Sequence, residues 1–156
     1  MKPLIVVITV VLTLAAQQSQ SSGKESSMPH RATGTFDVKI APLPAYNQDD
    51  KSLGRFSIDK QFRGDLEASS KGEMLSAGSP STSGGYVAIE KVTGKLNGRS
   101  GSFVLQHSAT VEGGKPHLNI IVVPGSGSGE LTGIAGKMDI IIEAGKHSFV
   151  FEYTTL

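Results

Sequence analysis

The chain has 156 residues, a formal charge of +1 at pH 7, and neither cysteine nor tryptophan. This length suits one domain with its own core, and the near-neutral charge argues against nucleic acid as a partner. The lack of cysteine excludes disulfides, thiolate nucleophiles and cysteine-ligated zinc. Nineteen glycines favour short strands joined by turns over long helices.

The first sixteen residues have the order of a secretion signal. Lys2 is followed by an uncharged apolar run that ends at Ala16, and this run is shorter than the roughly 20 residues of a membrane-spanning helix. We expect cleavage near Ala16 and a periplasmic or secreted protein, with an uncleaved N-terminal anchor as the alternative. The serine-rich and glutamine-rich residues 17–31 predict a flexible linker, which leaves residues 32–156 as the folded domain.

From residue 32 onward, apolar and polar residues alternate with the period of two that is typical of half-buried strands. The run 56–66 is predicted to be a single strand on this basis. No segment has a convincing helical period. The clearest alternation covers the segments 36–40, 56–66, 86–92, 103–109 and 149–153.

Turn signals separate these segments, and they predict an all-β fold. About eight strands with short connections favour an antiparallel meander that closes into a barrel, because closure removes the exposed edges of the sheet. A two-sheet sandwich is the alternative, since the strand spacing fits both. The dipeptides that predict tight hairpin turns are Asn97-Gly98, Gly113-Gly114 and Ala144-Gly145.

The segment VVPGSGSGELTGIAGK, residues 122–137, has the glycine content of a phosphate-binding loop without its spacing. A Walker loop needs glycine and a hydroxyl residue at the positions of Leu131 and Met138. The dinucleotide pattern G-x-G-x-x-G fails at Thr132. The segment is therefore interpreted as a glycine-rich crossing at which two backbones approach closely, and no nucleotide cofactor is predicted.

Two charged residues interrupt apolar strand faces. Lys60 lies between Ile58 and Phe62, and Glu90 shares a face with Tyr86. If both faces point into a barrel, an amine and a carboxylate meet in a low-dielectric interior, where they are expected to pair. Lys60 and Glu90 are thus the candidate catalytic residues, as proton donor and acceptor, or a polar anchor for a ligand carboxylate. A purely structural ion pair is the alternative.

Further candidates complete a predicted ligand-binding set. His107 shares a strand face with Phe103, and Glu130 is a charged residue within the glycine-rich segment. A lone histidine in this setting is commonly a core residue. The histidines lack the spacing of a metal site and no nucleophile motif is present, so neither a metal nor another cofactor is predicted. The predicted ligand-binding residues are Lys60, Tyr86, Glu90, Phe103, His107 and Glu130.

Residues 98–110, GRSGSFVLQHSAT, together with the glycine-rich segment resemble the paired signature of the bacterial domain of unknown function 3224 family. The likeness extends in order to ATGTFDVKI, KQFRGDLEASSKGEML and YVAIEKVTGKLNG, and covers the chain from residue 32 to 153. It implies a calycin-like antiparallel barrel similar to that of plant allene oxide cyclase. It implies no reaction, because the bacterial family has no established activity.

Three functions from different classes fit these observations. The first is an exported barrel that binds a small apolar or lipid-like molecule inside it. The second is an isomerase or cyclase of the allene oxide cyclase type, without metal or nucleotide. The third is a solid structural or interaction barrel that contacts copies of itself, and a homo-oligomer is open in every case. The size of the internal cavity separates the third function from the first two.

Overall fold

The computed structural model describes residues 28–49, 52–79 and 81–155. These residues form antiparallel strands and contain no helix. In these ranges, accordingly, no helix is long and apolar enough to cross a membrane. The predicted signal peptide and residues 17–27 of the predicted linker lie outside the described residues.

Eight long strands close into a barrel, as the sequence predicts, and a ninth short strand joins them. The order around the barrel is β4-β3-β2-β1-β9-β8-β6-β5, and β5 pairs with β4 to complete the circle. The two-residue β7 pairs with the first part of β5. The strands are β1 His30–Pro42, β2 Leu53–Gly64, β3 Leu66–Gly78, β4 Gly84–Leu96, β5 Arg99–Glu112, β6 Lys115–Val122, β7 Ser128–Gly129, β8 Ala135–Glu143 and β9 Lys146–Thr154.

Three hairpins have the tight turns predicted from the sequence. Both residues of each turn have a positive φ, which is the geometry of a type I′ turn and matches the twist of the flanking strands. In two of the turns, a non-glycine residue, Asn97 or Ala144, comes first and a glycine follows it. The φ values are 48° and 80° at Asn97-Gly98, 55° and 76° at Gly113-Gly114, and 47° and 77° at Ala144-Gly145.

The prediction of one strand over residues 56–66 is wrong. β2 ends at Gly64, whose φ is 107°, and β3 begins at Leu66. The Asp65 carboxylate between them accepts a 2.8 Å hydrogen bond from the backbone N–H of Thr33, which fixes the turn. Phe62 and Leu66 are both buried in the barrel core, so the alternation continues across the turn and conceals it. β1 begins at His30, two residues before the predicted domain boundary.

One half of the barrel interior is filled by a packed apolar core. Phe62 meets Phe149 edge-on at a ring-centroid distance of 5.6 Å, and Phe103 stacks on Phe151 at 5.5 Å. Aromatic pairs of this kind contribute about 0.5–1.5 kcal/mol beyond the burial of their area. This half contains the beginning of β1, the turns after β2 and β4, and the end of β9. We call it the closed half.

Residues 123–134, which connect β6 to β8, cross the end of the closed half. Leu131 and Ile134 are buried in the core from this crossing segment. A Cβ atom at Gly127 would lie 2.1 Å from the carbonyl oxygen of Leu131, so the backbone passes at a distance that a side chain does not permit. Gly127 therefore serves close packing of the backbone, as the sequence predicts, whereas Gly125 has no neighbour within 4 Å and a φ of 74°.

Candidate functional site

The opposite half of the barrel contains a cavity of about 500 Å³. Its lining residues belong to the end of β1, the beginning of β2, the end of β3 and the corresponding parts of the other long strands. The walls are mostly apolar, with side chains such as Ile58, Met74 and Ala109. Ile40 and Ile142 also line it and are more than half exposed, so the cavity opens to solvent between the strand ends. We call this the open half.

A buried polar cluster lies at the inner end of the cavity. Lys60 Nζ is 2.8 Å from Glu90 Oε2, and His107 Nε2 is 2.9 Å from the same oxygen. The hydroxyl of Ser70 donates to the other oxygen, Glu90 Oε1. The exposed fraction of the side chain is 0% for Glu90, 5% for Lys60 and 3% for His107. The carboxylate thus has three donors and no solvent.

These contacts keep Glu90 ionised. Burial acts to raise the pKa of its carboxyl, but the hydrogen bond from His107, the charge and hydrogen bond of Lys60, and the hydrogen bond from Ser70 together lower it to about 2. An ionised carboxylate in an apolar interior is stable when its oxygens are paired and hydrogen-bonded in this way. Glu90 is therefore an anion over the whole range near neutral pH.

Strand register brings the cluster together. Lys60 on β2 lies opposite Ser70 on β3, and His107 on β5 lies opposite Ala88 on β4, two residues before Glu90. Glu90 itself lies opposite Gly72, where a Cβ atom would be 2.3 Å from the carbonyl oxygen of Ile89 and 3.1 Å from the Cβ of Glu90. A glycine at this point thus permits the close approach of β3 and β4 beside the carboxylate.

Two of the four residues of the cluster face the cavity, and the other two lie behind them. Lys60 and His107 line the cavity, whereas Glu90 and Ser70 do not. The ammonium group of Lys60 also lies 5.0 Å from the centre of the Phe36 ring, a cation–π distance that holds it at the cavity floor. The floor therefore offers the remaining N–H groups of Lys60 to whatever occupies the cavity.

Tyr86 adds a hydroxyl group to the cavity wall. Burial raises the pKa of this phenol, and the negative charge of Glu90 raises it further. The hydroxyl consequently stays protonated at neutral pH and is able to donate a hydrogen bond. His147 lines the same space, with its ring 5.1 Å from that of Phe36.

The family model for proteins of unknown function DUF3224 matches residues 32–153 of the chain. The chain belongs to the DUF3224 family. The resemblance seen in the sequence motifs is thereby confirmed. A crystal structure of a DUF3224 protein of unknown function from Shewanella oneidensis MR-1 is similar to this one, with 50% sequence identity and a TM-score of 0.77. The match covers 83% of this chain and 98% of the other. No curated protein is significantly similar to the chain.

In this DUF3224 protein, four of the six predicted ligand-binding residues lie at the inner end of the cavity or on its wall: Lys60, Tyr86, Glu90 and His107. Phe103 lies elsewhere, in the closed half, where it stacks on Phe151. Glu130 is exposed on the crossing segment, and its carboxylate accepts a 2.7 Å hydrogen bond from the backbone N–H of Ser100. Phe103 shares a strand face with His107, and Glu130 belongs to the glycine-rich segment, but neither residue lines the cavity.

Two residues at the candidate site, Ser70 and His147, could have been predicted from the alternation of apolar residues in the sequence. Ser70 follows Leu66 and Ala68 at intervals of two, and His147 precedes Phe149 and Phe151 in the same way. Both therefore lie on inward faces. Serine is common in turns and on surfaces, so its place on a buried face is easily overlooked in a serine-rich chain.

Among the residues that the structure describes, no three histidine or acidic side chains are grouped as a metal site would require. Two shallow depressions lie on the outside of the DUF3224 barrel. One is next to Arg63 and Glu67, and the other is next to the exposed side chains of Leu75, Val87 and Ile89. Neither contains a buried titratable cluster, so the cavity of the open half is the candidate site.

Proposed function

We propose that this protein binds a small, mostly apolar molecule in the open half of the barrel, with a polar group of that molecule against Lys60 and His107. The observation that carries the proposal is the cavity of about 500 Å³ with apolar walls and with the polar side chains of Lys60 and His107 at its floor. Small-molecule sites in proteins have this volume and this combination of apolar lining with a few polar groups. A barrel filled by its phenylalanines would have no such space.

The same geometry favours binding over catalysis. An isomerase or cyclase that removes a proton needs a base with a pKa near the working pH. The pKa of Glu90 is about 2, which makes it a weak base, and the side chain lies behind Lys60 and His107 rather than on the cavity surface. The cyclase reaction suggested by the resemblance to the plant enzyme therefore stays a prediction.

We also propose that the protein is exported. The support is the sequence of its first sixteen residues, in which one lysine precedes an apolar run that ends in small residues. Mass spectrometry of the protein isolated from the exported fraction tests this directly. We expect a mature N-terminus next to Ala16, and a chain that still begins at Met1 would contradict cleavage.

The binding proposal is tested by titration with N-phenyl-1-naphthylamine, a neutral apolar dye whose fluorescence rises when it leaves water. Ala109 lines the cavity, and Ala109→Phe would fill part of it. Ser108 is its exposed neighbour on the same strand, so Ser108→Phe adds the same ring outside the barrel. Circular dichroism and thermal unfolding of both variants verify that each is folded.

We expect the wild-type protein and Ser108→Phe to bind the dye saturably with one site per chain, and Ala109→Phe to lose at least about tenfold in affinity. A folded Ala109→Phe protein that binds as tightly as the wild type would place the dye elsewhere and contradict the proposal. Native mass spectrometry of freshly purified protein adds an independent measurement, because a resident ligand would appear as a fixed mass increment.

A further inference from the structure

Resting on the proposed function, we infer that the bound molecule presents a neutral carbonyl-type oxygen to Lys60 and Tyr86, and not the carboxylate that a lysine in an apolar cavity would suggest. The class of ligand is thus a lipid-like ketone, ester or lactone. The reason is that Glu90 already neutralises the positive charge of Lys60.

The positive charge of Lys60 is compensated within the protein. Its ammonium group lies 2.8 Å from Glu90 Oε2, and neither side chain is more than 5% exposed. The formal charges of Lys60 and Glu90 add up to zero. Among the described residues that line the cavity there is no other lysine, and no arginine, aspartate or glutamate. A ligand carboxylate would therefore lose its hydration without gaining an uncompensated cation.

The charge of Lys60 is neutralised, but its ammonium group still has N–H donors that the carboxylate does not occupy. An ammonium group has three N–H donors, and the carboxylate takes one of those of Lys60. The Tyr86 hydroxyl lines the same cavity and stays protonated at neutral pH. A neutral oxygen acceptor satisfies these donors and is far less costly to remove from water than an anion. The floor is thus complementary to a carbonyl oxygen.

Glu90 lies behind Lys60 and His107 and does not reach the cavity surface. The carboxylate holds Lys60 by the ion pair, and it holds His107 through Nε2. Since Glu90 does not line the cavity, it offers no acceptor to a ligand hydroxyl or ammonium group. The cluster consequently favours neutral acceptors over anions.

The test is displacement of N-phenyl-1-naphthylamine by three compounds of ten carbons: decan-2-one, decanoate and decane. At pH 8, where imidazole groups are ordinarily neutral, we expect decan-2-one to displace the dye from the wild-type protein at a concentration about tenfold lower than decanoate or decane requires. A tenfold difference is what one hydrogen bond to a charged donor provides.

Glu90→Gln supplies the decisive comparison, because it leaves the charge of Lys60 uncompensated. In this variant, the preference should reverse in favour of decanoate. If Glu90→Gln does not fold, the double variant Lys60→Met/Glu90→Gln removes both charges and leaves the Tyr86 hydroxyl as the remaining donor of the pair, so its preference for decan-2-one over decane should fall well below tenfold.

The outcomes separate the two proposals. If the wild-type protein binds the dye but takes decanoate as well as or better than decan-2-one, the inference is wrong while the binding function stands. The inference is equally wrong if the dye binds and none of the three compounds displaces it. If the dye itself does not bind, the proposed function fails.

Discussion

The substitution Glu90→Gln tests the electrostatics of the cluster through the pH dependence of stability. The variant keeps the size and shape of the side chain and removes its charge. The pKa of the Glu90 carboxyl is about 2 in the folded protein, and it is 4.5 in an unfolded chain that lacks these contacts. Between these two values the unfolded chain binds more protons than the folded one, so stability rises with pH through this window.

The size of the effect follows from the same two values. The difference between 4.5 and about 2, at about 1.4 kcal/mol per pH unit, corresponds to roughly 3 kcal/mol. This stabilisation is fully present above pH 4.5 and is lost as the pH falls through the folded-state pKa near 2. A second effect is independent of pH near neutrality, because Glu90→Gln leaves Lys60 buried without its partner, which typically costs about 3–5 kcal/mol.

The assay is urea unfolding followed by circular dichroism at intervals between pH 2 and pH 7. We expect the wild-type free energy of unfolding to fall more steeply below pH 4.5 than that of Glu90→Gln, by roughly 3 kcal/mol in total. Asp37→Asn is the control, because this exposed carboxylate pairs with Arg63 in solvent and should leave the acid profile nearly unchanged. Parallel profiles for the wild type and Glu90→Gln would refute the reasoning.

Two backbone predictions follow from residues in restricted geometry. Ala144→Gly should raise the free energy of unfolding by about 1 kcal/mol, because Ala144 has a φ of 47° that glycine adopts without strain. Ala77→Gly, on ordinary strand backbone, should lower it and serves as the control in the same urea titration. Gly72→Ala should lower it by about 1–3 kcal/mol, because the new Cβ would meet the carbonyl oxygen of Ile89. Unchanged stability of Gly72→Ala would show that β3 and β4 separate easily.

The period of two in the sequence grouped Lys60, Glu90 and His107 with apolar residues on common strand faces, and it predicted a barrel of about eight strands. It left open which faces point inward, and the structure shows that these three side chains are buried. The pattern does not report how far along the barrel axis a residue lies. Phe103 and His107 share a face of β5, but Phe103 lies in the filled closed half, and His107, four positions further along the strand, lines the cavity of the open half. That depth depends on the stagger between neighbouring strands.

The cavity itself could not be predicted, since it depends on packing across the barrel. Five of the six phenylalanines belong to the packed core, and among these five Phe36 also borders the cavity. Similarly, the turn at Asp65 was concealed because Leu66 lies four positions after Phe62, an even interval that preserves the alternation. Such features arise from three-dimensional contacts that alternation within one strand does not contain.

The most direct test of the account is to locate the binding site by ¹H–¹⁵N NMR during titration with N-phenyl-1-naphthylamine. We predict saturable shifts of the backbone amides that surround the cavity, such as those of Met74 and Ala109, while those of the closed half near Leu131 stay in place. Shifts confined to the outer depression beside Val87 and Ile89 would contradict the claim that the open half of the barrel is a ligand site.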